Sequence, residues 1–171
     1  DNKNNIISEM NESKNGAVEK IIFKYDSNSN LIDKSIYDFE GNPTESLGHK
    51  SILKYDDNDN LIEIAKYNSD GSNYESDYGW NGHKIIYKYN DKNFLVETII
   101  LGANNEKFNN RNPHNHIKNV YDSENKLTKR LYYLTDELNA FDEYKYDFNN
   151  NPIEKNHIKL KISLVKKLPS P

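Results

Sequence analysis

The sequence predicts an all-β protein: an elongated antiparallel sheet of about five consecutive β-hairpins, open or coiled. Three observations carry this. A fifteen-residue pattern, KYDSNSNLIDKSIYD at residues 24–38 and KYDDNDNLIEIAKYN at 54–68, recurs in more worn form near Lys88, Val120 and Lys145. Each copy reads as a strand, a tight polar turn and a returning strand. Only 35% of the 171 residues are hydrophobic, below the roughly 45–50% of globular chains, yet there are 13 Tyr and 6 Phe. A thin, aromatic-rich β structure satisfies both constraints, whereas disordered chains are poor in aromatics.

Residues 1–16 are polar apart from Ile6 and Ile7 and are expected as a flexible leader, with at most a short strand or helical turn. A single hairpin-repeat domain is expected over 17–165, followed by a tail over 166–171. The anchors of the repeat are Tyr25, Tyr55, Tyr89, Tyr121 and Tyr146, followed by Asp26, Asp56, Asn90, Asp122 and Asp147. Six positions after each anchor stand Leu31, Leu61, Leu95, Leu127 and Pro152. Twelve positions after stand Tyr37, Tyr67, Leu101, Tyr133 and Ile158. The hairpin core is thus constant while the linkers vary, as when each repeat is one supersecondary unit.

Period-two alternation places Ile21, Phe23 and Tyr25 on one face of the first strand. On the returning strand Leu31, Ser35 and Tyr37 share one parity, and Ile32, Lys34 and Ile36 the other. Both faces are partly apolar, which calls for cover by coiling of the sheet or by a partner. The turns SNSN, DNDN, DKNF, SENK and FNNN favour Asx-turns. A bulged hairpin wants left-handed backbone at the fifth position of each Tyr-Asp unit. Ser29, Asp59, Asn93, Asn125 and Asn150 stand there; Asn and Asp tolerate that conformation best after Gly, and Ser29 is the weakest fit.

A short helical turn is expected over 135–141. Residues 158–165, IKLKISLV, read as an amphipathic strand whose lysines suit a sheet edge that resists foreign pairing.

Composition narrows function by exclusion. The formal charge of -4 gives no overall electrostatic reason to bind nucleic acid. The chain has no Cys, which excludes disulfides and thiolate chemistry. No apolar run approaches the roughly 18 residues of a membrane-spanning helix. A start at Asp1 without Met is consistent with a processed or trimmed chain. No phosphate loop, dinucleotide fingerprint or nucleophile elbow is present, and the recurring acids Asp33, Glu63, Glu97 and Glu154 read as strand-surface residues. The chain is therefore expected to be non-catalytic and without a cofactor. His49 and His83 share one repeat slot, and stacking would align them with His114 or His116. Such a column can bind a divalent metal, but duplication of a surface residue explains it more simply, and no metal is assigned. The acidic turn at Asp56–Asn60 lacks the Gly and terminal Glu of a calcium loop.

The residues left for binding are aromatic. Tyr74, Tyr78 and Trp80 cluster in the longest linker, SNYESDYGWNGH, where packing on a strand does not account for them.

The pattern Tyr25-Asp26…Asn30-Leu31 and Tyr55-Asp56…Asn60-Leu61, with a second Tyr closing each unit, resembles the Tyr-Asp repeats of Rhs/YD-repeat proteins. Tyr89-Asn90…Leu95, Tyr121-Asp122…Leu127 and Tyr146-Asp147…Asn151 match less closely. The resemblance covers about residues 17–158. The intervening GNPTE and GHK segments resemble degenerate repeats of bacterial surface and lipoprotein sequences. What this implies is a strip of antiparallel hairpins on a secreted or cell-surface bacterial protein, including the outer-membrane-associated case. The chain departs in lacking the turn glycine in all five units, and five units are too few for the toxin-enclosing shell of large family members. The resulting expectation is a protein-contact component of a larger surface assembly. The alternative is a carbohydrate-binding module built on Tyr74, Tyr78 and Trp80.

Overall fold

The computed structural model describes residues 1–12, 18–44, 48–74, 82–106, 115–134 and 136–160. They form one antiparallel sheet of eleven strands laid down in chain order. The strands are β1 (Ser8–Glu12), β2 (Val18–Tyr25), β3 (Leu31–Tyr37), β4 (Lys50–Tyr55), β5 (Leu61–Tyr67), β6 (Lys84–Tyr89), β7 (Leu95–Leu101), β8 (His116–Tyr121), β9 (Leu127–Leu134), β10 (Glu137–Tyr146) and β11 (Pro152–Lys159). The five Tyr-Asp units are the hairpins β2–β3, β4–β5, β6–β7, β8–β9 and β10–β11.

Each hairpin closes in the same way. Ser29, Asp59, Asn93, Asn125 and Asn150 have φ of 71, 60, 62, 65 and 66°. In the first unit Asp26 Oδ1 accepts the backbone N–H of Asn28 and of Asn30, at 2.8 and 2.9 Å. These bonds and the Asn30 side chain hold the Asp26 carboxyl below its usual range, with the Asn30 backbone N–H the largest cause. A register shift at the anchor, between Lys24 and Tyr25, sets two returning residues against one and produces the bulge. It recurs at Tyr55, Tyr89, Tyr121 and Tyr146.

Residues 1–7 repeat that turn, and β1 is the short strand allowed within the leader expected over 1–16. Asp1 Oδ1 accepts from the Lys3 and Asn5 backbones at 2.9 and 3.0 Å, and Asn4 has φ 63°. The sequence DNKNNII parallels DSNSNLI at 26–32. After it, β1 pairs with β2 in the register by which β3 pairs with β4: Ser8 faces Ile22 as Asp33 faces Ile52. The sheet thus holds five hairpins and half of a sixth.

Of the short helical turn expected over 135–141, residues 137–141 are strand, and residue 135 lies outside the described residues. Asp136 has φ 70° and makes a tight reversal directly from β9 into β10. Ladder pairing with Leu134 and Tyr133 outweighs weak local helix propensity. The amphipathic strand expected at 158–165 is represented by the end of β11, and residues 161–165 lie outside the described residues.

The register builds two different faces. Leu53, Ile64, Ile85 and Ile100 stand directly opposite one another across β4, β5, β6 and β7. On the other face Lys24–Asp33, Lys54–Glu63 and Lys88–Glu97 pair at 3.5, 2.8 and 2.6 Å. Among the described residues, the buried hydrophobic residues are Ile21, Ala65, Ile100 and Ala140. A single layer cannot enclose more, because each face of a sheet needs a second layer to leave water.

Candidate interaction surface

The anchor tyrosines join one unit to the preceding one. Tyr55 Oη donates to the Leu31 carbonyl at 3.0 Å, Tyr89 to Leu61 at 3.0 Å, Tyr121 to Leu95 at 2.9 Å and Tyr146 to Leu127 at 3.0 Å. Tyr25 makes the same bond to Ile6 at 2.9 Å. Burial pushes the Tyr55 and Tyr89 hydroxyls above their ordinary pKa, aided by the Asp26 and Asp56 carboxylates. Each hydroxyl therefore remains a donor at physiological pH. Replacing Tyr89 by Phe strips the Leu61 carbonyl of this donor and is expected to cost about 1 kcal/mol. Urea unfolding with an unchanged m-value is the check.

The acids at the eighth position after the anchor are committed to lysines. Lys50 and Lys24 lie 3.1 and 3.5 Å from Asp33, and Lys54 and Lys84 lie 2.8 and 3.7 Å from Glu63. Glu97 binds Lys88 and His116, both at 2.6 Å. Burial pushes each acid's pKa up, but the hydrogen bonds and charges of these cations, and the Ser35 hydroxyl at Asp33, outweigh it and hold all three below the usual carboxylate range. An open cleft between the second and third hairpins is lined by Lys54, Asp56, Glu63, Tyr87, Lys88 and Tyr89. Its Asp56 is engaged in a turn and its Glu63 in an ion pair. This arrangement orders the strip and leaves neither carboxylate poised for proton transfer.

The shared histidine slot is a linker cap. His49 Nδ1 donates to the Ile36 carbonyl at 2.8 Å, and His83 Nδ1 to the Lys66 carbonyl at 2.6 Å. Each ring meets a tyrosine edge-on, His49 with Tyr37 and His83 with Tyr67. The third member of the series is Asn115, in place of the expected His114 or His116. Its carbonyl accepts from Ile100 N, as His49 O accepts from Ile36 N. His114 lies outside the described residues, and His116 falls one position later, on β8 against Glu97. The slot stands six positions before the next anchor, His49 before Tyr55 and His83 before Tyr89, and the same count before Tyr121 gives Asn115.

Asn115 is 2% exposed, and among the described residues its Oδ1 and Nδ2 have no hydrogen-bond partner. Histidine there is expected to restore the bond to the Ile100 carbonyl and stabilise the protein by about 1 kcal/mol. A raised thermal midpoint for Asn115→His tests this.

A polar cluster around Asp142 was not singled out from sequence. Asp142, 1% exposed, accepts from His157 Nδ1 at 2.6 Å and from Tyr132 Oη at 2.7 Å. Tyr144 Oη and Lys155 Nζ lie 3.3 and 3.0 Å from its carboxylate. Burial raises the Asp142 pKa, but these donors prevail and hold it at about 2. The available signal was an acid on the same strand parity as Ala140 and Tyr144. The cluster clamps β9, β10 and β11 together.

Of the aromatic loop, Tyr74 is half-buried. Its ring leans on the preceding linker, where a Cβ on Gly48 would lie 3.0 Å from its Cγ, and Lys66 Nζ stands 6.0 Å from its centroid. Tyr78 and Trp80 lie outside the described residues.

No protein-family model and no curated protein sequence matches the chain. Among solved structures, the crystal structure of TcdB2-TccC3-TEV aligns over 83% of this chain and 9% of its own, at 12% identity and a TM-score of 0.46. The chain thus spans less than a tenth of that neighbour's length.

Proposed function

We propose that the chain is a non-catalytic β-repeat element that works by protein–protein contact, as an accessory or structural component of a larger bacterial assembly, secreted or at the cell surface. The observation that carries the reading is the cross-strand row Leu53–Ile64–Ile85–Ile100, of which only Ile100 is buried. A contiguous apolar row on one face of an ordered sheet is the kind of surface a protein partner covers. The Rhs/YD-repeat resemblance supplies the secreted or surface setting, and the commitment of the recurring acids to lysines supports the non-catalytic part. Tyr74, already packed on the Gly48 linker, offers less free ring face to a sugar, so carbohydrate binding stands second.

The test is photo-crosslinking in the cells that produce the protein, from position 64 and, on the opposite face, from position 54. A discrete protein adduct from position 64, competed by excess unlabelled chain and absent from position 54, is expected. If neither position gives a saturable protein adduct, the reading fails. Glycan binding lost in Trp80→Ala would replace it with the carbohydrate reading.

A further inference from the structure

The charges of the sheet are sorted by face. The acids of β3 to β9 are Asp33, Glu63 and Glu97, and strand alternation puts all three on the face opposite the apolar row. There they meet Lys24, Lys50, Lys54, Lys84, Lys88 and Lys118. The apolar row shares its own face with Lys34 and Lys66, which stand on either side of Ser51. No acid of β3 to β9 lies on that face.

The rows of this face cross the strands in a fixed order. Lys34–Ser51–Lys66 lies on one flank of Leu53–Ile64–Ile85–Ile100, and Tyr87–Thr98–Ile117 lies on the other. Neighbouring rows are two residues apart along a strand, about 7 Å, and Lys34 and Lys66 are two strands apart, about 10 Å. Leu53, Ile64 and Ile85 are half-buried, as are both lysines. Among the described residues, Lys34 has no carboxylate within ion-pair distance. Burial, with the charge of Lys34, pushes the Lys66 ammonium below its ordinary pKa. Two like charges thus stand together at the margin of an apolar surface, where a carboxylate would relieve their repulsion.

We propose, resting on the protein-contact reading, that the apolar row is covered by an acidic amphipathic segment of a partner protein. Its aliphatic side chains lie on Leu53, Ile64 and Ile85, and its carboxylates lie on the Lys34–Lys66 flank. Charge complementarity fixes both the composition of the segment and which of its margins faces β3. A second copy of the chain, meeting the first through this same face, brings no acid of β3 to β9 to the lysines. A bilayer fits the shape poorly. The side chains of the row are half-buried, whereas the most exposed aromatics, Phe39 and Phe148, stand in turns at the sheet margins.

The test places the photo-crosslinker at position 64 of the full chain, in the producing cells, and identifies the crosslinked peptide by mass spectrometry. That peptide is expected to carry Asp or Glu within a few residues of its aliphatic side chains. Lys34→Glu is expected to cut the adduct at least about tenfold. Lys20→Glu, the same change at an exposed site on the opposite face, is expected to leave it intact. Lys66→Gln keeps a polar side chain at the second cation and is expected to weaken the adduct as well, so the result does not hang on the folding of one variant. Lysine in place of the partner's crosslinked acid is expected to restore the adduct to Lys34→Glu. An adduct indifferent to both Lys34→Glu and Lys66→Gln overturns the proposal and leaves the protein-contact reading standing. An adduct between two copies of the chain overturns it in favour of self-association. Binding to phosphatidylglycerol vesicles that is lost in Lys34→Glu, with no protein adduct, overturns both and assigns the face to an anionic membrane.

Discussion

Gly82→Ala is expected to destabilise the protein by about 2–3 kcal/mol, the upper part of the range for overpacking. A Cβ at Gly82 would lie 2.5 Å from the Leu101 carbonyl oxygen and 2.6 Å from Ile100 Cγ2. The first contact is with backbone, which cannot rotate away, so the linker and β7 must separate. The loss falls where the His83 cap holds the third hairpin against the second, through the His83 carbonyl and the Lys66 N–H at 2.8 Å. Gly71→Ala is the internal control. A Cβ there meets nothing within 4 Å, and its cost is the backbone strain of φ +84° alone, about 1 kcal/mol. Urea midpoints of the two variants should differ accordingly. Amide exchange in Gly82→Ala should speed up first in β6 and β7, since coupling in a repeat array is between neighbours. Equal effects of the two substitutions would show that the close approach at Gly82 carries no energetic weight.

Asp142→Ala is expected to cost about 3 kcal/mol, at the lower end for breaking a buried ion pair, because His157 and Lys155 can turn to solvent once released. Tyr132, on β9, and His157, on β11, lose their common acceptor, so the last three strands should loosen together. The same group sets an acid dependence. Its pKa is depressed from 3.8 to about 2 in the folded protein. The carboxylate therefore contributes fully above about pH 4, and its contribution is lost as pH falls through about 2. The linkage is worth about 2 kcal/mol, from just under two pKa units at 1.36 kcal/mol each. Asp33, Glu63 and Glu97 are lowered too and shift the acid limb in the same direction. The difference between the wild-type and Asp142→Ala stability–pH curves isolates the single group. It should shrink as pH drops from 4 toward 2, and a constant difference over that window would show that Asp142 is not held ionised by its neighbours.

Local chemistry was legible without coordinates. The number of hairpins and the left-handed residue in each Tyr-Asp turn follow from residues no more than a few positions apart. Ser29 adopts φ 71° even as the poorest candidate, because the Asp26 carboxylate and the bulge impose the turn around it. The turn at 1–7 was equally local, yet was missed, because DNKNNII is polar enough to read as a leader. The exchange of helix for strand after Asp136 came from pairing with β9, a contact that local propensity does not report.

By itself, the sequence determined an antiparallel strip of five hairpins, with aspartates that shape turns. Turn geometry and strand alternation depend on covalent neighbours and are written within a few residues. Tertiary structure alone decided how one hairpin meets the next: the tyrosine hydroxyls reaching back to the preceding unit, the histidine rings capping the linkers, and the donors around Asp142. Those contacts join residues some 10 to 30 positions apart across linkers of unequal length, where counting along the chain no longer says which groups come together.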